Sequence, residues 1–383
     1  MQVGKHLNIQ VCFHAPRQSN IVLFYENNID LIKRYILTDI PFFTYSTKPE
    51  KFYFCLGVIS YFMRSLKNFD WKEFIIKKKL KRLLGILLNH YRLATLEYIN
   101  PKVVITYIDN SELFHWLSRN CNGSEFFAIQ NGNRTNWELE RVSKNDYYLK
   151  HFFCFGNYDV DRFKAFNLKI DDFYPIGSLK GGIILSEAAK HINNNKYDIC
   201  FISSGTLETK SKEFNRDYYL SYELLITYLA KFIEEFDLSI SVALRFDKKY
   251  FPGLSKLEKE HFDCKFSKKA DLIEMNRLST YFNALDSSVL IGSGTSVLAE
   301  CFGFGKKILY CDFSERKIYN NHDSMVLFTE PNYDSFKNRL NELINEPYDK
   351  YCERTRDYRS YVMNYNMDCL PHVFIRKKIK EYL

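Results

Sequence analysis

Short apolar runs alternate along the chain with segments whose apolar residues recur every three or four positions. In the first half, the run at 21–25 precedes a helical pattern at 29–36, and the run at 102–109 precedes another from 111 to about 120. Runs at 125–130 and 152–156 follow, then a helical pattern at 158–166 and a run at 173–176. The alternation restarts at 197–203. It continues through a helix at 216–236, a strand at 240–245, a helix at 271–285, and two strands that flank a glycine-rich turn at 292–296. Strands alternating with helices predict parallel, doubly wound sheets. Gly177, Gly181, Gly182 and the polar run 191–196 break the pattern between the halves. The expectation is an α/β protein of two Rossmann-like units, residues 1–182 and 196–365. Helical patterns at 333–344, 348–365 and 374–383 close the chain, and residues 366–383 form a terminal helix free to cross back to the first unit.

The stretch 287–310 reads as strand, hydroxyl-rich turn, helix, glycine stop and second strand. Gly292, Ser293, Gly294, Thr295 and Ser296 lead into a helix whose first N–H groups lack intrahelical partners. Those groups, the hydroxyls and the positive end of the helix dipole suit a phosphate. Glu300 falls four residues after Ser296, where a carboxylate can accept hydrogen bonds from a ribose. The pattern is neither GxGxxG nor a Walker loop. Its bland reading is a capped helix in a domain that binds nothing there.

Two further strands end in polar clusters. The run 103–108 stops at Asp109, Asn110 and Ser111, and the next strand stops at Gln130, Asn131, Gly132, Asn133 and Arg134. If adjacent strands end at one edge, both clusters face one pocket, because ligands of open parallel sheets sit beyond the carboxyl ends of the strands. Amides suit sugar hydroxyls, Asp109 could act as base or nucleophile, and Arg134 could pair with a phosphate. The bland reading makes Asp109 or Ser111 a helix cap and Asn131-Gly132 a turn. His14 and His115 are alternative bases.

Composition narrows the class. A chain of 383 residues with 33 Phe and 28 Tyr can bury two cores. No apolar run approaches the roughly 20 residues that span a bilayer, and residues 1–20 lack the apolar stretch of a signal peptide, so a cytoplasmic protein is expected. The ten cysteines are scattered without a CxxC pair, which favours buried thiols over disulfides or zinc. The net charge of +8 is concentrated at 71–99, which reads as one long helix with seven Lys and Arg. A basic amphipathic helix can lie on an anionic inner-membrane surface; it can equally be a core helix with a solvated face. No nucleic-acid reader motif is present.

The motifs VVITYIDNS, FFAIQNGNR, FCFGNY, YPIGS, YDICFISSG and GSGTSVLAECFGFGKKILY, spanning 102–312, resemble the GT-B glycosyltransferases. More narrowly, they are similar to bacterial surface-carbohydrate proteins of lipopolysaccharide and capsule synthesis. Some of these look like transferases of CMP-activated ulosonic acids such as Kdo or pseudaminic acid. The resemblance implies that Ser293, Thr295 and Ser296, with Gly294 among them, bind donor phosphate and that Glu300 meets the ribose; the shared strand edge makes Asp109 the expected catalytic carboxylate, with Asn110, Gln130, Asn131 and Arg134 holding sugar around it. The resemblance further implies that Ser203, Ser204 and Gly205 line the cleft, with Arg245 near the donor charge. Where many CMP-sugar enzymes carry a His-Pro pair, this chain has Phe246-Asp247. The expected partners are a nucleotide-sugar donor and a glycan or lipid-linked acceptor, with neither metal nor separate cofactor, since a nucleotide is already an acidic leaving group. The alternatives are a UDP-sugar transferase, a nonhydrolysing sugar-nucleotide epimerase, and a non-catalytic assembly protein.

Overall fold

The computed structural model describes residues 10–25, 30–47, 51–67, 80–144, 147–188, 196–206, 213–276, 278–315 and 323–383. Two six-stranded sheets dominate it, and every strand pair in both is parallel. A two-stranded parallel ribbon joins β1 (Gln10–Cys12) to β4 (Lys51–Tyr53). The first large sheet uses β2 (Ile21–Tyr25), β3 (Phe43–Ser46), β5 (Val103–Thr106), β6 (Glu125–Ile129), β7 (Tyr148–Cys154) and β8 (Lys169–Pro175), in the order β3-β2-β5-β6-β7-β8. The second uses β9 (Tyr197–Ile202), β10 (Ile240–Ala243), β11 (Asp271–Ile273), β12 (Ser287–Gly292), β13 (Lys307–Cys311) and β14 (Leu327–Phe328), in the order β11-β10-β9-β12-β13-β14.

The central strands are apolar throughout because both of their faces are covered: Val103, Val104 and Ile105 are fully buried, as are Val289, Leu290 and Ile291. The chain returns to the first sheet at its end. The helix Tyr348–Val362 leads to Asn364, whose N–H donates to the Phe155 carbonyl at 2.8 Å and whose amide donates to the Pro175 carbonyl at 2.8 Å. The helix Pro371–Lys380 then packs Ile375 and Ile379 into the core with Phe127 and Phe153, and Tyr382 meets the Phe127 ring at 5.4 Å.

Three expectations change. Residues 271–285 are not one helix: Asp271–Ile273 is an edge strand and only Ser279–Leu285 is helical. The helix expected at 29–36 is a π-helical turn over Ile32–Ile36. The basic helix is described only as Leu80–Ile99, and residues 71–79 lie outside the described residues. Among the described residues no helix is long and apolar enough to cross a membrane.

Candidate functional site

In the second sheet the chain runs outward from β9 to β10 and β11, then returns to the other side of β9 as β12. The crevice beyond β9 and β12 is therefore the topological switch point, where open α/β sheets bind ligands. The register pairs Gly292 with Ile202, so the loops 203–206 and 293–296 start side by side. Only glycine fits at 292, since a Cβ there would sit 2.9 Å from the Ile202 carbonyl oxygen.

Thr295 caps the helix Ser296–Gly303, its hydroxyl accepting the Val297 N–H at 3.3 Å. That role uses the Thr295 hydroxyl as an acceptor, and its own proton can still be donated. Ser293 differs. It is 1% exposed, and among the described residues its Oγ makes no well-formed hydrogen bond, with the Tyr218 hydroxyl close by. Gly294, at φ +65°, turns the chain between the two, and Ser296 is half-buried at the first turn. In the adjoining loop, the Ser203 hydroxyl donates to Glu258 and accepts the Gly205 N–H at 3.1 Å, so it is a structural anchor facing inward. The Ser204 hydroxyl pairs with that of Thr206 at 2.7 Å. Gly205, at φ +72°, lies against the stem of Arg245, whose side chain is exposed at the mouth of the crevice.

Two residues that sequence reasoning passed over hold these loops. Glu258 is fully buried, and its carboxylate accepts both the Arg245 N–H, at 3.0 Å, and the Phe246 N–H, at 3.1 Å. This interaction fixes the turn at Phe246-Asp247. Its signal was the inward spacing of Ser255, Glu258 and Phe262 on one helix. Tyr218, on the helix Glu213–Phe236, donates to the Ser293 carbonyl at 3.2 Å and bridges the two loops.

Glu300 does not face an open ribose site. It is 1% exposed, with one carboxylate oxygen accepting the Ser178 hydroxyl at 2.9 Å and the other the Tyr281 hydroxyl. The helix is rolled so that its fifth residue meets the segment joining the two sheets. Burial pushes the Glu300 carboxyl above its ordinary range, against the opposing pull of Lys180.

In the first sheet, β5 and β6 are neighbours in register, Thr106 opposite Ala128, so their terminal clusters do share one edge. They bond to each other. Asp109, 1% exposed, accepts the Asn131 N–H at 3.1 Å and Arg134 Nε at 3.0 Å on its two oxygens, and Arg134 Nη2 closes on it as well. Arg134 Nη2 also donates to Asn131 Oδ1 at 2.7 Å, and Asn131 Nδ2 donates to the Tyr107 carbonyl at 2.9 Å. Asp109 is therefore the anchor of an enclosed ion pair: buried and with both oxygens engaged by Arg134 and the Asn131 N–H, it is not presented to a substrate as base or nucleophile. Gln130 is likewise structural, accepting the Phe155 N–H at 3.0 Å and donating to the Gly132 carbonyl at 3.2 Å. Asn110 is half-buried beside Arg134 and Tyr147. His115 sits behind the pair with Nε2 2.6 Å from the Asp109 carbonyl; burial drives its pKa down to about 4, so it donates as a neutral imidazole. His14 lies on the β1 strand extension, against Tyr53.

The two domains meet at these loops. A Cβ on Gly132 would lie 3.9 Å from both Ser296 Oγ and Arg134 Nη1, so the polar edge of one sheet abuts the switch point of the other. No protein-family model and no curated protein sequence matches the chain. Solved structures do. A glycosyltransferase from Rickettsia africae superposes with a TM-score of 0.50 over 95% of this chain and 98% of its own, at 12% identity. The UDP-GlcNAc 2-epimerase of Neisseria meningitidis, bound to UDP-GlcNAc, gives 0.50 over 94% and 98%, at 11% identity. That of Methanocaldococcus jannaschii, with UDP-GlcNAc and UDP, gives 0.50 over 89% and 99%, at 13% identity. The fold is GT-B. The glycosyltransferase and the epimerases share this frame, so the shape by itself assigns neither activity.

Proposed function

We propose that the protein is a glycosyltransferase, with a nucleotide-activated sugar held at the second domain's switch point and a hydroxyl acceptor brought by the first. The observation that supports this reading is Ser293, a buried hydroxyl that makes no well-formed hydrogen bond among the described residues, at the mouth of a helix N-terminus beside Tyr218. A buried hydroxyl left unpaired costs about 1–3 kcal/mol, and a donor phosphate oxygen would satisfy it. The helix N–H groups, Ser296 and the exposed Arg245 add donors around the same anion.

In the reaction the anomeric C–O bond to phosphate breaks, the acceptor oxygen takes its place on carbon, and the acceptor proton leaves to solvent. Negative charge develops on the departing nucleotide, where these donors stand. Asp109 acts at one remove as a positioning residue: it fixes Arg134 and Asn131, and through them the Gly132 loop that faces Ser296. Epimerisation makes a different demand, a base and an acid on either side of one sugar carbon. Three ionisable side chains near the junction are already committed, Asp109 to Arg134, Glu300 to Ser178 and Tyr281, and His115 to a backbone carbonyl, while Lys180 lies over the Tyr107 ring. This favours transfer.

The sequence resemblance makes a CMP-activated ulosonic acid the first donor to test, with UDP- and CDP-sugars beside it, and a surface-polysaccharide or lipid-linked glycan as acceptor. The nucleotide that belongs here should raise the melting temperature, since saturation at a hundredfold the Kd adds about 2.7 kcal/mol. Free nucleotide released only when acceptor is present supports transfer. Interconversion of sugar epimers without release would assign an epimerase instead.

A further inference from the structure

The helix Leu80–Ile99 carries a buried cation without a counter-charge. Arg92 is 8% exposed, and among the described residues no carboxylate pairs with it. Arg134, buried to the same degree, has Asp109. The Arg92 guanidinium makes two hydrogen bonds, Nη2 to the Thr47 carbonyl at 2.5 Å and Nη1 to Asn89 Oδ1 at 3.4 Å, which leaves donors to spare. Burial pulls its pKa down, and among the described residues only the Tyr45 phenol opposes that pull. A charge taken out of water is ordinarily paired, because its lost hydration has to be replaced.

Arg92 lines a cavity of about 100 Å³ between the edge strand β3, the strand β4 and this helix. One water needs about 10–15 Å³ of such space, so there is room for a small polyatomic ion. Tyr25, Tyr45, Ser46, Tyr91 and the exposed Lys51 supply further polar lining, and among the described residues no Asp or Glu lines the cavity. Tyr25 and Ser46, the last residues of β2 and β3, pair with each other, and the Thr47 N–H donates to the Tyr25 carbonyl at 2.7 Å. The bond from Arg92 to the Thr47 carbonyl therefore sets the guanidinium at the carboxyl end of two parallel strands. That is the sheet edge at which Asp109 and Asn131 follow β5 and β6, and the edge where open α/β sheets bind ligands.

We infer that this cavity binds a phosphate or carboxylate group carried by the acceptor sugar, with Arg92 as its buried counter-ion and Lys51 as a second cation. A planar guanidinium meets either group with parallel N–H donors, and the buried Tyr45 beside it keeps the local dielectric low, which strengthens the pairing. The anion site stands on the cavity alone. Its assignment to the acceptor rests on the transferase reading above, in which the first domain brings the acceptor.

The probe is inorganic phosphate, titrated calorimetrically into the full chain without nucleotide, with potassium chloride at matched ionic strength as control. Wild-type protein should bind it. Arg92→Gln, which keeps a donor for the Thr47 carbonyl, should bind at least about tenfold more weakly. Lys51→Ala, at an exposed position, should weaken binding by about two- to fivefold; it decides alone should Arg92→Gln not fold. Phosphate also suits the donor crevice, so the titration is repeated on Ser293→Ala/Arg245→Ala, where the dependence on Arg92 should persist. Glucose 6-phosphate, glucuronate and glucose then separate the sources: the charged sugar whose affinity falls in Arg92→Gln carries the group, and glucose should be indifferent. Wild type that ignores phosphate, binding that survives Arg92→Gln and Lys51→Ala, or binding lost in Ser293→Ala/Arg245→Ala overturns the anion site. Phosphate bound as expected while neither charged sugar depends on Arg92 overturns the assignment to a sugar. Acceptor-dependent release of nucleotide tests the reaction separately, so failure of the cavity and failure of the transferase reading are told apart.

Discussion

At the scale of single residues, chemistry and support have changed places relative to the sequence reading. A carboxylate at a strand end reads as catalytic, yet the arginine that encloses Asp109 lies 25 positions away, and no spacing rule connects the two. Asp109→Asn leaves the Arg134 guanidinium buried without its counter-charge, and removing one partner of a buried pair costs about 3–5 kcal/mol. Urea unfolding should show that loss, whereas Asp109→Leu/Arg134→Met should recover most of it, because an apolar pair of similar volume is often neutral. An Asp109→Asn protein as stable as wild type but inactive would restore Asp109 to a catalytic role. Ser293→Ala should behave in the opposite way. Its hydroxyl makes no well-formed hydrogen bond among the described residues, so stability should hold while affinity for the correct nucleotide falls by about 1–2 kcal/mol, roughly five- to thirtyfold. Calorimetric titration of the folded variant decides this, and unchanged affinity removes Ser293 from the donor site.

At the scale of elements, the long apolar strands and the glycine-bracketed turn were legible because burial on both faces and helix capping leave strong local patterns. The edge strands were not. Asp271–Ile273 and Leu327–Phe328 are only three and two residues long and are held by neighbours far away in sequence, so their own residues carry little period. Residues 271–285 therefore read as a single helix. Glycines show the same limit: in the sequence Gly156 only ends the apolar run 152–156, while the structure shows why it must be glycine. A Cβ there would lie 2.2 Å from the Tyr361 carbonyl oxygen, where the helix Tyr348–Val362 crosses back to the first sheet. Gly156→Ala must push two backbone segments apart and should destabilise by about 1–3 kcal/mol or more. Gly85→Ala, in the interior of the helix Leu80–Ile99 with nothing within 4 Å of the added methyl, should instead stabilise by about 0.5–1 kcal/mol. Melting curves of the two single variants test the pair, and equal shifts would mean that the crossing is loose.

At the scale of the whole molecule, stability responds to pH in part through two buried groups that feel the Asp109–Arg134 pair. Asp159, 2% exposed on the helix Asn157–Ala165, has its pKa raised to about 6 by burial, against the opposing pull of Arg162 and a hydrogen bond from Gln130. A carboxyl raised in the folded state contributes stability that is present below its unfolded value near 4 and is lost as pH climbs through 6. His115, lowered to about 4 by the same cause, does the reverse: its contribution is present above its unfolded value near 6.5 and is lost as pH falls toward 4. Each shift spans about two units, or on the order of 3 kcal/mol, with opposite slopes over the same window. In the wild type the two slopes nearly cancel between pH 4 and 6. Asp159→Asn removes the falling slope, so its stability should rise with pH across that window relative to wild type. His115→Gln, which keeps a donor for the Asp109 carbonyl, should show stability falling over the same range. Urea midpoints at several pH values for wild type and both variants give the slopes directly. Parallel pH profiles for all three proteins would show that neither group is shifted by the fold.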